Sequence, residues 1–209
     1  MNKPLSVHYQ AEQNPDISIP DPNQDMFSKN TLGFWMYLMT DCLIFASLFI
    51  SHAVLANESF GGPTSRDLFR LDLTLAETGA LLFSSITCGF ALLSSLKNRR
   101  NAVIGWLIVA FLCGALFVGM ELSEFSDFLS QGASWTTSAF LSSFFTLVGT
   151  HGLHVSIGLF WMLVIIGQLL FLGITPFVFR RLVIFGMFWH FLDLVWIFIF
   201  TFVYLFGVI

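Results

Sequence analysis

Charge is what this chain has least of. Only 11% of its 209 residues are Asp, Glu, Lys or Arg, against roughly 25% in soluble domains. That scarcity excludes an ordinary solvated surface, and no basic patch offers itself to nucleic acid. Cysteine is scarce too. Cys42, Cys88 and Cys113 are odd in number and carry no Cys-x-x-Cys spacing, which argues against a disulfide framework or a thiolate metal site and leaves small packing residues. Enzymatic signatures are missing as well: no nucleophile elbow, phosphate loop, Rossmann glycine pattern or zinc-protease motif occurs. Gly61-Gly62-Pro63-Thr64 reads as turn chemistry, because no lysine and helix start follow it.

Apolar residues fill the space that charge leaves. The chain is 56% hydrophobic, with 26 Phe and 6 Trp, and its mean hydropathy is +0.80. Five segments reach the ~20 apolar residues needed to cross a bilayer: Leu32–Leu55, Thr74–Leu96, Ala102–Glu121, Ser138–Phe171 and Leu182–Gly207. Runs of this length specify helices, since barrel strands are about 10 residues long and alternate. The fourth exceeds the hydrocarbon core and should tilt or protrude. Residues 1–30 differ, holding four of the six prolines and Asp16, Asp21 and Asp25. They read as a polar, mobile arm ahead of a five-helix domain over 31–209. No apolar core with a cleavage site precedes the first span, so the arm does not resemble a secretory signal.

Basic residues set the orientation. Lys97, Arg99 and Arg100 follow span two, Arg180 and Arg181 precede span five, and Lys3 and Lys29 lie on the same side. Arg66 and Arg70 stand opposite. The positive-inside rule then places the N-terminus in the cytoplasm and the C-terminus in the periplasm. An all-α, polytopic bundle of five transmembrane helices is the expected fold, with Glu121–Asp127 as an acidic outer loop.

The informative residues are the polar ones inside the spans, where an ionised side chain costs about 2.5–3.5 kcal/mol or more. Asp41, His151, His154, His190 and Asp193 fall at comparable depth, and Glu77, Glu121 and Glu124 gather near the outer ends of spans two and three. His190 and Asp193 share one helical face, flanked by Trp189 and Trp196; His151 and His154 share another. Three readings fit: cross-helix hydrogen bonds that fix packing, a proton or ion path, or a metal or haem site. Only five histidines exist, and His8 and His52 lie in the arm and near a span end. The three central imidazoles cannot serve two haems and a copper. Asp41 has no basic residue in its own span, and reads as a hydrogen-bonding group, a proton-exchanging site or an anchor for a lipid head group. Gly105, Gly114, Gly119, Gly149, Gly152 and Gly158, with Ser84, Ser85 and Thr87, favour close helix approach.

Phe188-Trp189-His190-Phe191-Leu192-Asp193-Leu194-Val195-Trp196 and, one span earlier, Gly149-Thr150-His151-Gly152-Leu153-His154-Val155 resemble the paired motifs of subunit III of the haem–copper respiratory oxidases. Glu121-Leu122-Ser123-Glu124-Phe125 matches that family's Glu-x-x-Glu pattern, and Asp41 falls where many members carry a buried Glu. The resemblance covers about 31–208. Five helices instead of seven, Met39-Thr40-Asp41-Cys42 and the Gly61–Thr64 turn look like the cytochrome o type ubiquinol-oxidase branch.

The resemblance implies a subunit with no catalytic residue, metal or redox centre of its own. It would support assembly and stability of a proton-pumping oxidase in a bacterial inner membrane. Two haems and one copper are then expected in subunit I, with subunits I, II and IV and bound phospholipid as partners. On this reading Asp41, His151, His154, His190 and Asp193 are structural, Glu77, Glu121 and Glu124 are outer-side carboxylates, and Trp35, Trp189 and Trp196 are interfacial or packing aromatics. Two rivals remain: a b-type haem anchor using His151 or His154 with His190, and a stand-alone proton-coupled transporter using Asp41 and Glu77.

Overall fold

The structure, a computed structural model, describes residues 22–55, 71–130, 132 and 138–205. All regular structure among them is helical: α1 (Pro22–Leu55), α2 (Leu71–Leu96), α3 (Arg100–Ser130), α4 (Ala139–Leu172) and α5 (Pro176–Ile199), which continues as a π-helical turn, Phe200–Leu205. All five are long and apolar enough to cross a membrane, and each of the five hydropathy segments maps onto one of them. At 34 residues and about 1.5 Å per residue, α4 is longer than the ~30 Å hydrocarbon core.

Boundaries differ from the sequence reading in two places. Pro22–Asn30 is helical although it was expected to be arm, with Pro22 at the first helical position, where its missing N–H costs little. Residues 1–21, and the Gly61–Thr64 turn with Arg66 and Arg70, lie outside the described residues. The helix α3 runs on to Ser130 instead of ending at Glu121. Phe117, Glu121, Glu124 and Phe128 follow at intervals of four, three and four and are all buried, so the helical face continues through the stretch read as an acidic loop.

Local chemistry places the helix ends. Ser138 caps α4 by accepting from Leu141 N–H at 3.1 Å. Thr175 caps α5 by accepting from Val178 N–H at 3.3 Å, and Pro176 follows it. Gly173 ends α4 at φ 70° and donates its N–H to Leu169 C=O. Asn98, at φ 54°, makes the α2–α3 turn.

Leu38–Ile209 form one compact unit and Met1–Tyr37 another. Within the first segment of α1, the rings of Phe34 and Tyr37 lie 5.6 Å apart. Within the larger unit α2 packs on α3, α3 on α4, α4 on α5, and α5 back on α2. The rest of α1 buries one stripe, Leu38, Asp41, Phe45 and His52, and Phe45 and His52 meet α4.

The tightest contact in this ring is at Trp189 of α5. A Cβ added at Gly158 (α4) would lie 2.8 Å from Trp189 Cζ3, and one at Gly114 (α3) would lie 3.0 Å from its Cζ2. Backbone from two helices therefore lies against one indole, which only glycine permits. Gly158→Ala should destabilise the detergent-solubilised protein by about 1–3 kcal/mol through overpacking. Gly105→Ala, where a Cβ meets nothing within 4 Å, should not. Equal melting of the two variants in a thermal unfolding assay would contradict this packing.

Candidate functional site

The polar residues singled out from sequence separate into distinct clusters between helices. The first lies around Trp189. Its Nε1–H donates to Ser84 Oγ on α2 at 3.1 Å, and the Ser84 hydroxyl donates to Ala110 C=O on α3 at 2.8 Å. One serine thus ties α5 to α2 and α2 to α3, and leaves the buried indole N–H satisfied. Trp196, two turns further along α5, repeats the device: its Nε1–H donates at 3.0 Å to Thr78 Oγ1, which donates to Thr74 C=O. Both tryptophans are core residues, at 2% and 0% exposure. Trp35 is 49% exposed on the first part of α1.

His151 sits beside Trp196. The two rings stack at 5.2 Å, while Phe117 and Phe45 present edges at 6.0 and 6.3 Å. The imidazole is fully buried and neither ring nitrogen has a hydrogen-bond partner. It is enclosed by aromatic carbon, not aimed at His190.

Next to it lies an acidic cluster. Glu77 (α2), Glu121 and Glu124 (α3) are all buried and lie within electrostatic reach of one another. Tyr204, on the π-helical turn, donates its hydroxyl to Glu124 Oε2 at 2.9 Å. The other five oxygens of the three carboxyls have no partner. The carboxyl of Glu121 covers Gly152 of α4, where a Cβ would come within 3.0 Å of Oε2. These groups were expected near the outer helix ends; continuation of α3 to Ser130 instead turns two of them into the bundle.

His154 and Asp41 form the third cluster. The imidazole donates Nδ1–H to Thr150 C=O at 2.7 Å, and its Nε2 faces Asp41 Oδ2 at 3.6 Å. Asp41 therefore has a basic neighbour after all, supplied by α4 where its own helix offers none. Near the end of α1, His52 lies 3.0 Å from Ser143 Oγ. Because that hydroxyl donates to Phe140 C=O, the imidazole Nδ1–H is the donor.

The fourth cluster lies between α5 and α2. His190 Nδ1 is 2.6 Å from Ser85 Oγ, and the Asp193 carboxyl lies within electrostatic reach of His190. Asp193 is buried and its Oδ1 is unpartnered, whereas His190 is exposed. The five groups read together from sequence thus face three different surroundings. Among the described residues no group of three or more His, Cys, Asp or Glu is arranged to hold a metal. The partners that sequence reasoning missed are Thr78, Ser143 and Tyr204. Tyr204 carried one readable signal, a phenol set in an apolar run near the end of span five.

Tyr204→Phe keeps the ring and removes the one donor that reaches Glu124. It should cost about 1–3 kcal/mol, as for any buried acceptor left unsatisfied. Thermal unfolding in detergent reads the loss, with Ser47→Ala, on an exposed hydroxyl, as the comparison; no difference between them would mean the bond contributes nothing.

The family model for cytochrome c oxidase subunit III matches residues 23–208. Cytochrome bo(3) ubiquinol oxidase subunit 3 of Pseudomonas aeruginosa is 51% identical, over 90% of this chain and 90% of its own length. The protein of the same name from Buchnera aphidicola is 45% identical over 88% and 95%. Quinol oxidase subunit 3 of Bacillus spizizenii is 46% identical over 85% and 87%. The match runs through every helix that builds the clusters above: this chain belongs to the cytochrome c oxidase subunit III family.

Proposed function

We propose that this chain is the non-catalytic third subunit of a haem–copper ubiquinol oxidase, a complex that reduces oxygen to water in aerobic respiration and moves protons outward. The relatives named for quinol oxidases support the electron donor. Two haems and one copper would reside in subunit I, and this chain would pack beside that subunit with subunits II and IV and bound phospholipid. Its membrane is the bacterial inner membrane. The basic α2–α3 turn, with Lys97, Arg99 and Arg100, and Arg180 and Arg181 at the start of α5 favour a cytoplasmic N-terminus and a periplasmic C-terminus.

One observation carries the reading: the histidines of the spans are bound or enclosed within the chain itself. His52 is held by Ser143, His154 by Thr150 and Asp41, His190 by Ser85, and His151 by aromatic rings. A bis-imidazole haem needs two rings aimed into one slot. His151 faces Trp196 while His190 faces α2, so these side chains organise helices instead. A stand-alone transporter fits no better, because Asp41 and Glu77 belong to different clusters and no span is broken midway. The roles of Asp41, His151, His154, His190, Asp193 and the three glutamates on this reading are to fix helix pairs and, for Asp41, to support lipid contact.

Asp193→Ala should loosen the α2–α5 contact and lower the yield of assembled oxidase, with turnover per haem unchanged. His151→Phe should leave haem content unchanged. Purification of the tagged complex followed by haem quantification and oxygen uptake checks both. Normal assembly with lost turnover, or a haem lost with His151, would overturn the reading.

A further inference from the structure

Basic side chains gather at one end of the bundle with no acid to neutralise them. Lys97, Arg99 and Arg100 make the turn from α2 into α3, and Arg180 and Arg181 lie in the second turn of α5. Packing unites the two groups. The bonds Trp196–Thr78, Trp189–Ser84 and His190–Ser85 pair α2 with α5 antiparallel, and that register sets Arg180 level with the last turn of α2, just before Lys97. Arg100 donates to Leu170 C=O near the end of α4, so the α2–α3 and α4–α5 turns close the same end. Among the described residues none of the five cations pairs with a carboxylate. Along α2–α5 the acidic residue nearest to any of them in sequence is Asp193, twelve residues and about 18 Å beyond Arg181. Arg180 and Arg181 are half-buried, so solvent screens them less than it screens a free surface charge.

Deeper along the same two helices the surface is apolar. Phe90 of α2 and Trp106 of α3 lie 5.2 Å apart, ring to ring, and both are exposed, as is Leu93 between Phe90 and the turn. Phe90 stands seven residues from Lys97 and Trp106 six from Arg100, which sets the rings about 10 Å deeper than the cations. Aromatics at that level meet the boundary between head groups and acyl chains. On α5 the Arg181 guanidinium lies 4.1 Å from the centre of the exposed Phe177 ring, a contact that orients the side chain without cancelling its charge. The surface is thus charged at its end and apolar beneath, the division found in a phospholipid.

We infer that this end of the bundle binds an anionic phospholipid, with its phosphodiester at the Lys97–Arg99 turn, in the field of Arg180 and Arg181, and one acyl chain over Phe90 and Trp106. The inference makes the phospholipid of the preceding reading specific, and rests on that reading only for the chain's place in a bilayer. Arg100 stands apart from the other four cations, because its guanidinium already serves Leu170. Net charge decides the class of lipid. A zwitterionic head group carries an ammonium beside its phosphate and leaves the cations unmatched; an anionic one supplies a negative charge with no ammonium to offset it. Basic groups between helices on the cytoplasmic side are where such head groups bind, and the distribution of Lys and Arg favours that side for this end.

The test is photo-labelling of the purified complex, washed of lipid in detergent, with phosphatidylglycerol or phosphatidylcholine carrying the same diazirine acyl chain. Phosphatidylglycerol should label the peptides that hold Phe90 and Trp106 several-fold more than phosphatidylcholine does, while the peptide of Phe160, exposed on α4, should show no preference. Replacing Lys97, Arg99, Arg180 and Arg181 together by Gln should bring the ratio close to one, and Lys97→Arg should keep it. Equal labelling by the two lipids in the wild type would overturn the inference without recourse to any variant. So would a preference that survives removal of the four charges, or displacement by millimolar inorganic phosphate, the mark of a free-anion site. Absence of label from that face, the mark of a partner subunit covering it, would overturn it too. Haem content of the same preparation reads the oxidase assignment separately: a chain that brings down no haem protein yet prefers phosphatidylglycerol would sink that assignment and leave the lipid surface standing.

Discussion

The rest of the bundle depends on one contact, the Trp189 indole held against backbone at Gly114 and Gly158. Lipid supplies no hydrophobic force between helices, so association rests on close packing and on hydrogen bonds that hydrocarbon cannot replace. Trp189 supplies both. Its ring fills the space left by two glycines on α3 and α4, and its N–H reaches Ser84 on α2. Four helices therefore meet at one side chain. Any residue with a Cβ at Gly158 would push the ring away from Gly114 and from Ser84 at once.

The same logic explains why so many polar groups are tolerated. The bonds that cross the bundle tie α5 to α2 through Trp189–Ser84, Trp196–Thr78 and His190–Ser85, and the π-helical turn to α3 through Tyr204 and Glu124, while His154 of α4 faces Asp41 of α1 at 3.6 Å. A bond of this kind is worth about 0.6 kcal/mol on average in a membrane. Alone that decides little; several together specify one arrangement against sliding. The π-helical turn belongs to this scheme, because it brings Tyr204 under Glu124 and against Phe144 and Trp196. The acidic cluster is the exception. Glu77 and Glu121 are buried without a hydrogen-bond partner, and packing gives no account of why carboxyls stand there.

Hydropathy made the five spans legible, since a run of apolar residues has to be a helix in a bilayer. The paired histidine motifs made the family legible. Position along each span was also readable, and Asp41 does lie beside His154. Direction around each helix was not. Asp41 meets His154 while His151, one turn away, meets Trp196; only the packed bundle decides between them. Glu121 and Glu124 were misplaced for a related reason: acidic letters near a helix end read as loop, yet their intervals match Phe117 and Phe128 on the buried face. Serine and threonine partners were the hardest to see. Ser85 looks like a generic small residue until His190 lies 2.6 Å away.

The central claim is that this chain organises helices and a partner complex while holding no redox centre. The most direct measurement is the reduced and the carbon-monoxide-bound optical spectrum of the purified oxidase, before and after this subunit is stripped by detergent. The account predicts the same haem bands and the same carbon-monoxide shift in both preparations, with the stripped one less stable. A haem band or the carbon-monoxide response leaving with the subunit would contradict it.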